Sequence, residues 1–314
     1  MPDIVLRASN LTRRYGDLVA VDSISLEVRR GEILGFLGPN GAGKTTTSHM
    51  LCGLLRPDSG TIELNGVQLE PGATRGLRAI GVCPQEIVIW EMLTCREQLA
   101  MMGELYGLGR AHARRRADTL LDALGLTDKA KRLARTLSGG MKRRLNIALA
   151  LVHEPELLFL DEPQAGLDPQ SRVLVRDYVA SLKGQVTVVL TTHDMEEAEK
   201  LSDRVCIIDR GRVLELDTVD AIKDKLGEGD LLEIEIAEDA ATNLGPLLRG
   251  LDVERLDSRI AGNTLAFAST RAAELLPGLL EGIRQQGLTL EGLRVRKRTL
   301  EDVFIHLTGR GLRE

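Results

Sequence analysis

The run Gly38-Pro39-Asn40-Gly41-Ala42-Gly43-Lys44-Thr45-Thr46 carries the pattern G-x-x-x-x-G-K-[ST]. Glycines at this spacing let successive backbone N–H groups converge on anionic oxygens, while the lysine adds charge and the threonine hydroxyl reaches a divalent cation. Two carboxylates, Asp161 and Glu162, close the apolar run Leu157-Leu158-Phe159-Leu160. An aspartate there suits a magnesium ion held through its water shell, and a neighbouring glutamate suits the orientation or deprotonation of a water attacking a terminal phosphate. His193 follows another apolar run, where a polar contact to the γ-phosphate is expected. Tyr15 offers a flat face on which a base stacks, or else a ring packed in the core. Ser138-Gly139-Gly140 reads either as a second anion site at a helix start or as a well-capped packing helix.

The elements that must position these residues follow from periodicity. Ile33-Leu34-Gly35-Phe36-Leu37 predicts a buried strand entering the glycine-rich loop, and Thr46 to Leu55 predicts a helix leaving it, so the phosphates meet a helix N-terminus. Ile4-Val5-Leu6 and Ile24 to Val28 alternate as strands of an antiparallel sheet, with a turn at Tyr15-Gly16-Asp17, and Thr61 to Gly66 reads as another alternating strand with a turn. Ala79 to Val82 leads to Cys83-Pro84-Gln85, and Pro84 places Gln85 on a loop leaving a strand. Thr94 and Glu97 form a capping box, and Ala117, Leu120, Leu121 and Leu124 recur at helical spacing before Gly125, so residues 86–137 read as a helical insertion into an α/β domain. Ser138 is expected to cap a helix whose stripe is Leu145, Ala148, Leu149 and Val152. Asp168 lies in a Gly-Leu-Asp-Pro turn, Val186 to Leu190 reads as a buried strand, and Asp194 with Glu197 as a box-like cap on the helix that follows.

A length of 314 residues predicts two domains. The net charge of -5 and pI near 5.7 argue against a generally basic surface, so no nucleic-acid partner is expected. The densest basic runs, Arg114-Arg115-Arg116 and Arg294-Val295-Arg296-Lys297-Arg298, read as a solvated helix face or a strand edge. Cys52, Cys83, Cys95 and Cys206 lack C-x-x-C spacing, which suits reduced, structural thiols in a reducing compartment. The N-terminus lacks the pattern of a signal peptide, and no apolar run approaches the roughly 20 residues that span a bilayer. A cytoplasmic location is expected, and action at a membrane would require another subunit to provide the span.

Taken in order over roughly residues 4 to 220, these motifs resemble the ATP-binding cassette ATPase family. Tyr15 matches its adenine-stacking aromatic, Gly38 to Thr45 the Walker A loop, Gln85 the Q-loop glutamine, and Leu137-Ser138-Gly139-Gly140-Met141 the family signature. Asp161 matches the Walker B aspartate, Glu162 the catalytic glutamate, Asp168 the D-loop aspartate and His193 the switch histidine. The resemblance implies ATP and Mg²⁺ as ligands. Glu162, His193, Lys44 and Gln85 are then the catalytic set, and Thr45, Gln85 and Asp161 surround the metal. It also implies a head-to-tail dimer with a second copy or a sister cassette, in which Ser138, Gly139 and Gly140 serve the partner's nucleotide. Gln164, where the family commonly has threonine or serine, leaves hydrolysis intact and puts D-loop coupling in doubt.

The expected architecture is therefore a P-loop cassette over residues 1–226, with a mixed sheet core, an antiparallel β subdomain and a helical subdomain. A small α+β regulatory or dimerisation domain follows over residues 227–314. In it, Leu232, Ile234 and Ile236 alternate as a strand, a helix is expected near residues 238–249, and two strands meet at Ala261-Gly262-Asn263. A helix from Arg271 to Gln286, kinked at Pro277, and a strand through Leu293 and Val295 complete a ferredoxin-like β-α-β-β-α-β order. The segment Arg298 to Gly309 looks like the ending of cassette subunits of the daunorubicin-exporter type, read as a dimer-locking element or an inert packing helix. That resemblance implies the ATPase subunit of an exporter, peripheral on the inner face of the cell membrane and paired with polytopic membrane subunits. Trp90 falls where the family docks such subunits, and core packing is its other reading. The rival functions are a soluble cassette ATPase of DNA repair or translation, and a nucleotide-gated module that does not hydrolyse.

Overall fold

The computed structural model describes residues 3–69, 78–226, 229–237, 258–261, 263–269 and 272–308. The chain divides into two compact units, the first ending at Val219 and the second beginning at Asp220.

The first unit is built on a six-stranded sheet. Its strands are β3 (Ile33–Leu37), β6 (Ile80–Cys83), β7 (Leu157–Asp161), β8 (Thr187–Thr192), β9 (Arg204–Asp209) and β10 (Arg212–Thr218), in the order β10-β9-β3-β8-β7-β6. All neighbours are parallel except β10, which runs antiparallel to β9. Every residue of β3, β7 and β8 is buried, because helices cover one face and a second sheet the other. The period of two then deals alternate side chains to opposite cores: Leu158 and Leu160 pack with the helices, Leu157 and Phe159 with the second sheet.

That second sheet is antiparallel, in the order β2-β1-β4-β5, from β1 (Ile4–Tyr15), β2 (Leu18–Arg29), β4 (Ser59–Leu64) and β5 (Val67–Gln68). The helix after the glycine-rich loop, α1 (Lys44–Leu51), begins at its lysine. Two helices, α2 (Cys95–Leu105) and α3 (Arg110–Ala123), form the insertion, and Thr94 with Glu97 makes the full capping box at the start of α2. Ser138 caps α4 (Gly139–Leu151) and Asp168 caps α5 (Pro169–Ser181). The box expected at α6 (Met195–Leu201) is only half made. Asp194 accepts from Glu197 N, but the Glu197 carboxylate binds Thr192 Oγ1 at 2.6 Å instead of reaching back to the cap. A short helix, α7 (Val219–Asp224), follows β10.

The second unit holds one antiparallel sheet, β12-β13-β11-β14, made of β11 (Asp230–Ile236), β12 (Ser258–Ala261), β13 (Thr264–Ser269) and β14 (Leu290–Arg296). Leu232, Ile234 and Ile236 pack with Leu265 and Phe267 under Leu279 and Ile283 of α8 (Ala272–Gln285), which contains Pro277. The helix expected near residues 238–249 lies outside the described residues. Arg296, read from sequence as part of a solvated basic run, is a tie. Its guanidinium binds Glu233 of β11 at 2.8 Å and Asp302 of α9 (Leu300–Thr308) at 2.7 Å.

Candidate functional site

The glycine-rich loop joins the C-terminal end of β3 to α1. Its backbone is fixed by close approach: a Cβ at Gly38 would stand 2.1 Å from Ile208 O, and one at Gly43 would stand 2.4 Å from Ala20 O. Gly43 also has φ 101°, a conformation that glycine alone adopts readily. No side chain caps α1 and no acid stands in its first turn, so the loop presents free backbone donors to an anion. Lys44, 5% exposed, turns its Nζ onto Gly38 O at 2.7 Å and Pro39 O at 3.0 Å. Burial draws the Lys44 pKa below its ordinary value, and the carboxylates of Glu162 and Asp161 oppose that fall.

Asp161 closes β7 on the strand next to β8 and accepts from Thr45 Oγ1 at 3.1 Å and from Thr191 Oγ1. Hydroxyl and carboxylate thus converge as hard oxygen donors of the kind that magnesium takes. Glu162 turns the chain out of the sheet in a left-handed conformation, φ 45°, that a non-glycine residue adopts only when its surroundings hold it. Its N–H donates to both Thr191 O and Thr191 Oγ1 at 3.1 Å. Its carboxylate receives His193 Nδ1 at 2.9 Å and Gln85 Nε2 at 3.3 Å. Gln85, expected in the metal sphere as well, is therefore engaged with the glutamate.

The signature residues belong to a different set of contacts. Ser138 Oγ accepts from Met141 N at 3.3 Å, and a Cβ at Gly140 would lie 2.4 Å from Ser171 Oγ and 3.3 Å from Asp168 Oδ2. Asp168 itself accepts from Ser171 Oγ at 2.7 Å and Ser171 N at 2.9 Å, and these bonds hold its carboxyl pKa below the usual range. Among the described residues, no hydrogen bond links Ser138, Gly139 or Gly140 to the loop of residues 38–46.

Tyr15 is 48% exposed, which excludes the packed-core reading of this ring. Trp90, 42% exposed, lines a mainly apolar cavity of about 340 Å³ with Leu54, Val88, Met102, Tyr106 and His153. The Tyr106 and His153 rings stack at 3.9 Å.

Sequence reasoning missed the residue that joins these parts. Arg143, 2% exposed in α4, donates to Pro84 O (2.6 Å), Gln85 O (3.0 Å), Asp161 O (2.6 Å), Glu162 O (2.8 Å) and Pro163 O (3.1 Å). Asn146 ties the same helix to Glu86 O and Val88 N. The signal was present in the spacing, since Arg143, Asn146 and Ala150 stand at i, i+3, i+7 and share one helix face. A charged residue on a buried face must have polar partners, which a wheel cannot name. Glu197 was also missed as a titrating group. It is 6% exposed, burial pushes its pKa up to about 7, and its Oε1 has no partner.

A phosphate loop after a parallel strand, faced by a strand-end carboxylate, defines a P-loop nucleotide-binding protein. Residues 21–165 match the family described as ABC transporter. The daunorubicin resistance ATP-binding protein DrrA3 of Streptomyces coeruleorubidus is 42% identical, over 98% of this chain and 97% of the relative. Nod factor export ATP-binding protein I of Ralstonia nicotianae is 39% identical, over 99% of this chain and 95% of the relative. The solved structure of cbiO1 from Clostridium perfringens, part of the ABC transporter complex cbiONQ, superposes with a TM-score of 0.64 at 28% identity. It covers 71% of this chain and 93% of that one. The chain belongs to the ATP-binding cassette family, as an ATP-hydrolysing subunit of an ABC transporter similar to the daunorubicin-resistance proteins.

Two outcomes follow from this geometry. Arg143→Lys, which cannot keep the guanidinium fork, is expected to cost about 2–4 kcal/mol in urea unfolding and to lower kcat for ATP more than it raises KM. Unchanged stability and turnover would remove Arg143 from its place in the site. Glu197 keeps its proton in the folded state where the unfolded chain loses it, so stability falls as pH rises from about 4.5 toward 7. Glu197→Gln is accordingly expected to gain on the order of 1–3 kcal/mol over the parent at pH 8 and almost nothing at pH 4, read from melting curves.

Proposed function

We propose that this chain is the ATPase of an exporter, working on the inner face of the membrane as a dimer beneath polytopic membrane subunits. The observation that carries the catalytic part is the Glu162 carboxylate, oriented by His193 and Gln85 beside the Thr45–Asp161 pair. The backbone N–H groups of Asn40, Gly41, Gly43 and Thr46 cradle the phosphates, Gly38, Pro39 and Ala42 shape the loop that presents them, and Lys44 leaves its two carbonyls to neutralise the terminal ones. Thr45 and Asp161, with Gln85 beside them, would hold Mg²⁺, and the ion would supply neutralisation of charge on the phosphate oxygens. Glu162 accepts the proton of the attacking water, and His193 orients that carboxylate and reaches the γ-phosphate. Tyr15 stacks on the adenine.

The separation of the signature from the loop supports a shared site. Ser138, Gly139 and Gly140 serve the nucleotide held by a second cassette, and Asp168, already bonded to Ser171, sets the start of α5 against them. Loss of the γ-phosphate then releases the pair. Among the described residues, no helix is long and apolar enough to cross a membrane; the transport path is assigned to other subunits on the likeness to transporter ATP-binding subunits. The cavity beside Trp90 is the proposed seat for them, since an exposed tryptophan beside an apolar hollow is the usual anchor of an interface. The names of the relatives, daunorubicin resistance and Nod factor export, support the outward direction. The domain after residue 226 is proposed to regulate or lock the dimer, through the segment that includes α9.

Glu162→Gln, tagged in the native cells and solubilised in mild detergent, is expected to hold ATP in a dimer with little turnover and to bring down a polytopic membrane protein in stoichiometric amount. Near-normal ATP hydrolysis would sink the role given to Glu162. Recovery with ribosomes or DNA, free of any membrane protein, would replace the exporter by a soluble cassette ATPase. For the C-terminal segment, deletion of residues 299–314 is expected to weaken dimerisation or release ATPase control, and no change in either would leave it a packing helix.

A further inference from the structure

The strand that ends at Tyr15 carries a second residue whose placement has no use in the site described so far. Arg13 and Tyr15 stand two apart on β1 and so project to one face of the strand. The Arg13 guanidinium carbon lies 5.1 Å from the centre of the Tyr15 ring, over its face. Its Nη1 donates to Asp58 Oδ1 at 2.7 Å and to Arg56 O at 3.3 Å. Asp58 is held in turn: Oδ2 accepts from Arg14 N at 2.7 Å, and Asp58 N donates to Thr12 O at 2.8 Å. Asp58 thus grips three successive residues of the strand end, Arg13 and Arg14 through its carboxylate and Thr12 through its N–H, and fixes the cation before it meets the ring. Among the described residues, no hydrogen bond holds the Tyr15 hydroxyl, so the guanidinium is what orients this half-exposed ring.

The same hairpin is registered against the phosphate loop. The β1–β2 pairing shifts between Arg13–Val21 and Arg14–Val19, and this irregularity turns out Ala20, whose carbonyl is the atom that excludes a side chain at Gly43. The place of the strand end relative to the phosphate loop is therefore set by backbone, and what the backbone leaves free is the orientation of the ring.

We propose that Arg13, clamped by Asp58, is a positioning residue for nucleotide binding: it covers one face of Tyr15 and presents the other to the base, so that guanidinium, phenol and purine stack in three layers. The inference rests on the reading of Tyr15 as the residue that stacks on adenine. A cation over an exposed ring is worth about 0.5–1 kcal/mol, and an ordered ring spares the base the cost of ordering it, so the effect is about two- to fivefold in affinity. Because Arg13 acts through the ring, its loss must weaken base-bearing nucleotides and spare phosphates alone.

The test is equilibrium binding of MgATP and of magnesium tripolyphosphate to the purified full chain, with parent, Arg13→Ala, Arg13→Lys, Tyr15→Ala and the Arg13→Ala/Tyr15→Ala double variant. Arg13→Ala is expected to weaken MgATP about two- to fivefold, to leave tripolyphosphate at the parent value, and to place its kinetic effect on KM rather than kcat. Arg13→Lys, which keeps the charge without the planar fork, is expected to fall between parent and alanine. In the Tyr15→Ala background the arginine should no longer matter. An equal loss for tripolyphosphate would show that Arg13 acts as a plain charge on the phosphates and would overturn the proposal, as would additive losses in the double variant. Weakened binding in Tyr15→Ala beside parent-like binding in Arg13→Ala would overturn this inference alone. Parent-like binding in Tyr15→Ala would overturn the stacking role of Tyr15, and the inference with it.

Discussion

A single buried guanidinium holds the reacting end of this cassette together. Where two neighbouring parallel strands, β6 and β7, give up their chains to loops, the carbonyls beyond the last pair of their ladder need other partners. Arg143 answers that need with a planar fork, taking Pro84 and Gln85 on one side and Asp161, Glu162 and Pro163 on the other. Among the described residues the charge meets no carboxylate in doing so; five carbonyl dipoles replace its hydration. The consequence is mechanical as well as energetic. Arg143 sits in the helix that begins with the signature, so any shift of that helix is carried to Gln85 and Glu162 through bonds rather than through soft packing.

The phosphate side rests on a second constraint, the absence of room. Backbone carbonyls of Ala20 and Ile208 stand where side chains at Gly43 and Gly38 would be, so the antiparallel sheet and the end of β9 mould the loop from outside. Within that mould Lys44 is desolvated and rests on its own loop's carbonyls, and opposite it Glu162 is kept in an unfavourable backbone conformation by two bonds to Thr191. Both features store free energy at the place where phosphate and water are to meet, which is where preorganised groups are most useful. Thr191 also donates to Asp161, so one strand-end threonine sets the directions of both acids.

The cavity near Trp90 shows how a second function is attached without disturbing the first. It opens between the end of the parallel sheet and the helical insertion, and Arg143 and Asn146 of one helix hold Pro84 and Val88 on its wall. A partner seated there would press on the same loop that carries Gln85. The chemistry and the proposed docking surface are thus linked by a short loop and one helix, which is the physical content of coupling in this chain.

The sequence by itself determined the phosphate loop, the strand-end acids, the capped helices and the alternation of the antiparallel strands, because each is written in neighbours a few residues apart. The fold class followed from the alternation of buried strands with helices, and a resemblance that orders the motifs supplies the roles proposed for Tyr15, Gln85, Ser138 and His193. Tertiary structure decided the rest, for the reason that the partners are distant in sequence. Arg143 finds carbonyls near residues 84 and 162, Glu197 turns from its cap to Thr192, and Arg296 leaves an apparently solvated run to bind Glu233 and Asp302. Periodicity tells which side of an element is buried, but only folding brings the groups that a buried charge must find there. Tyr15 and Trp90 make the same point in reverse: their residue types allowed core or surface, and only the packed chain left them exposed.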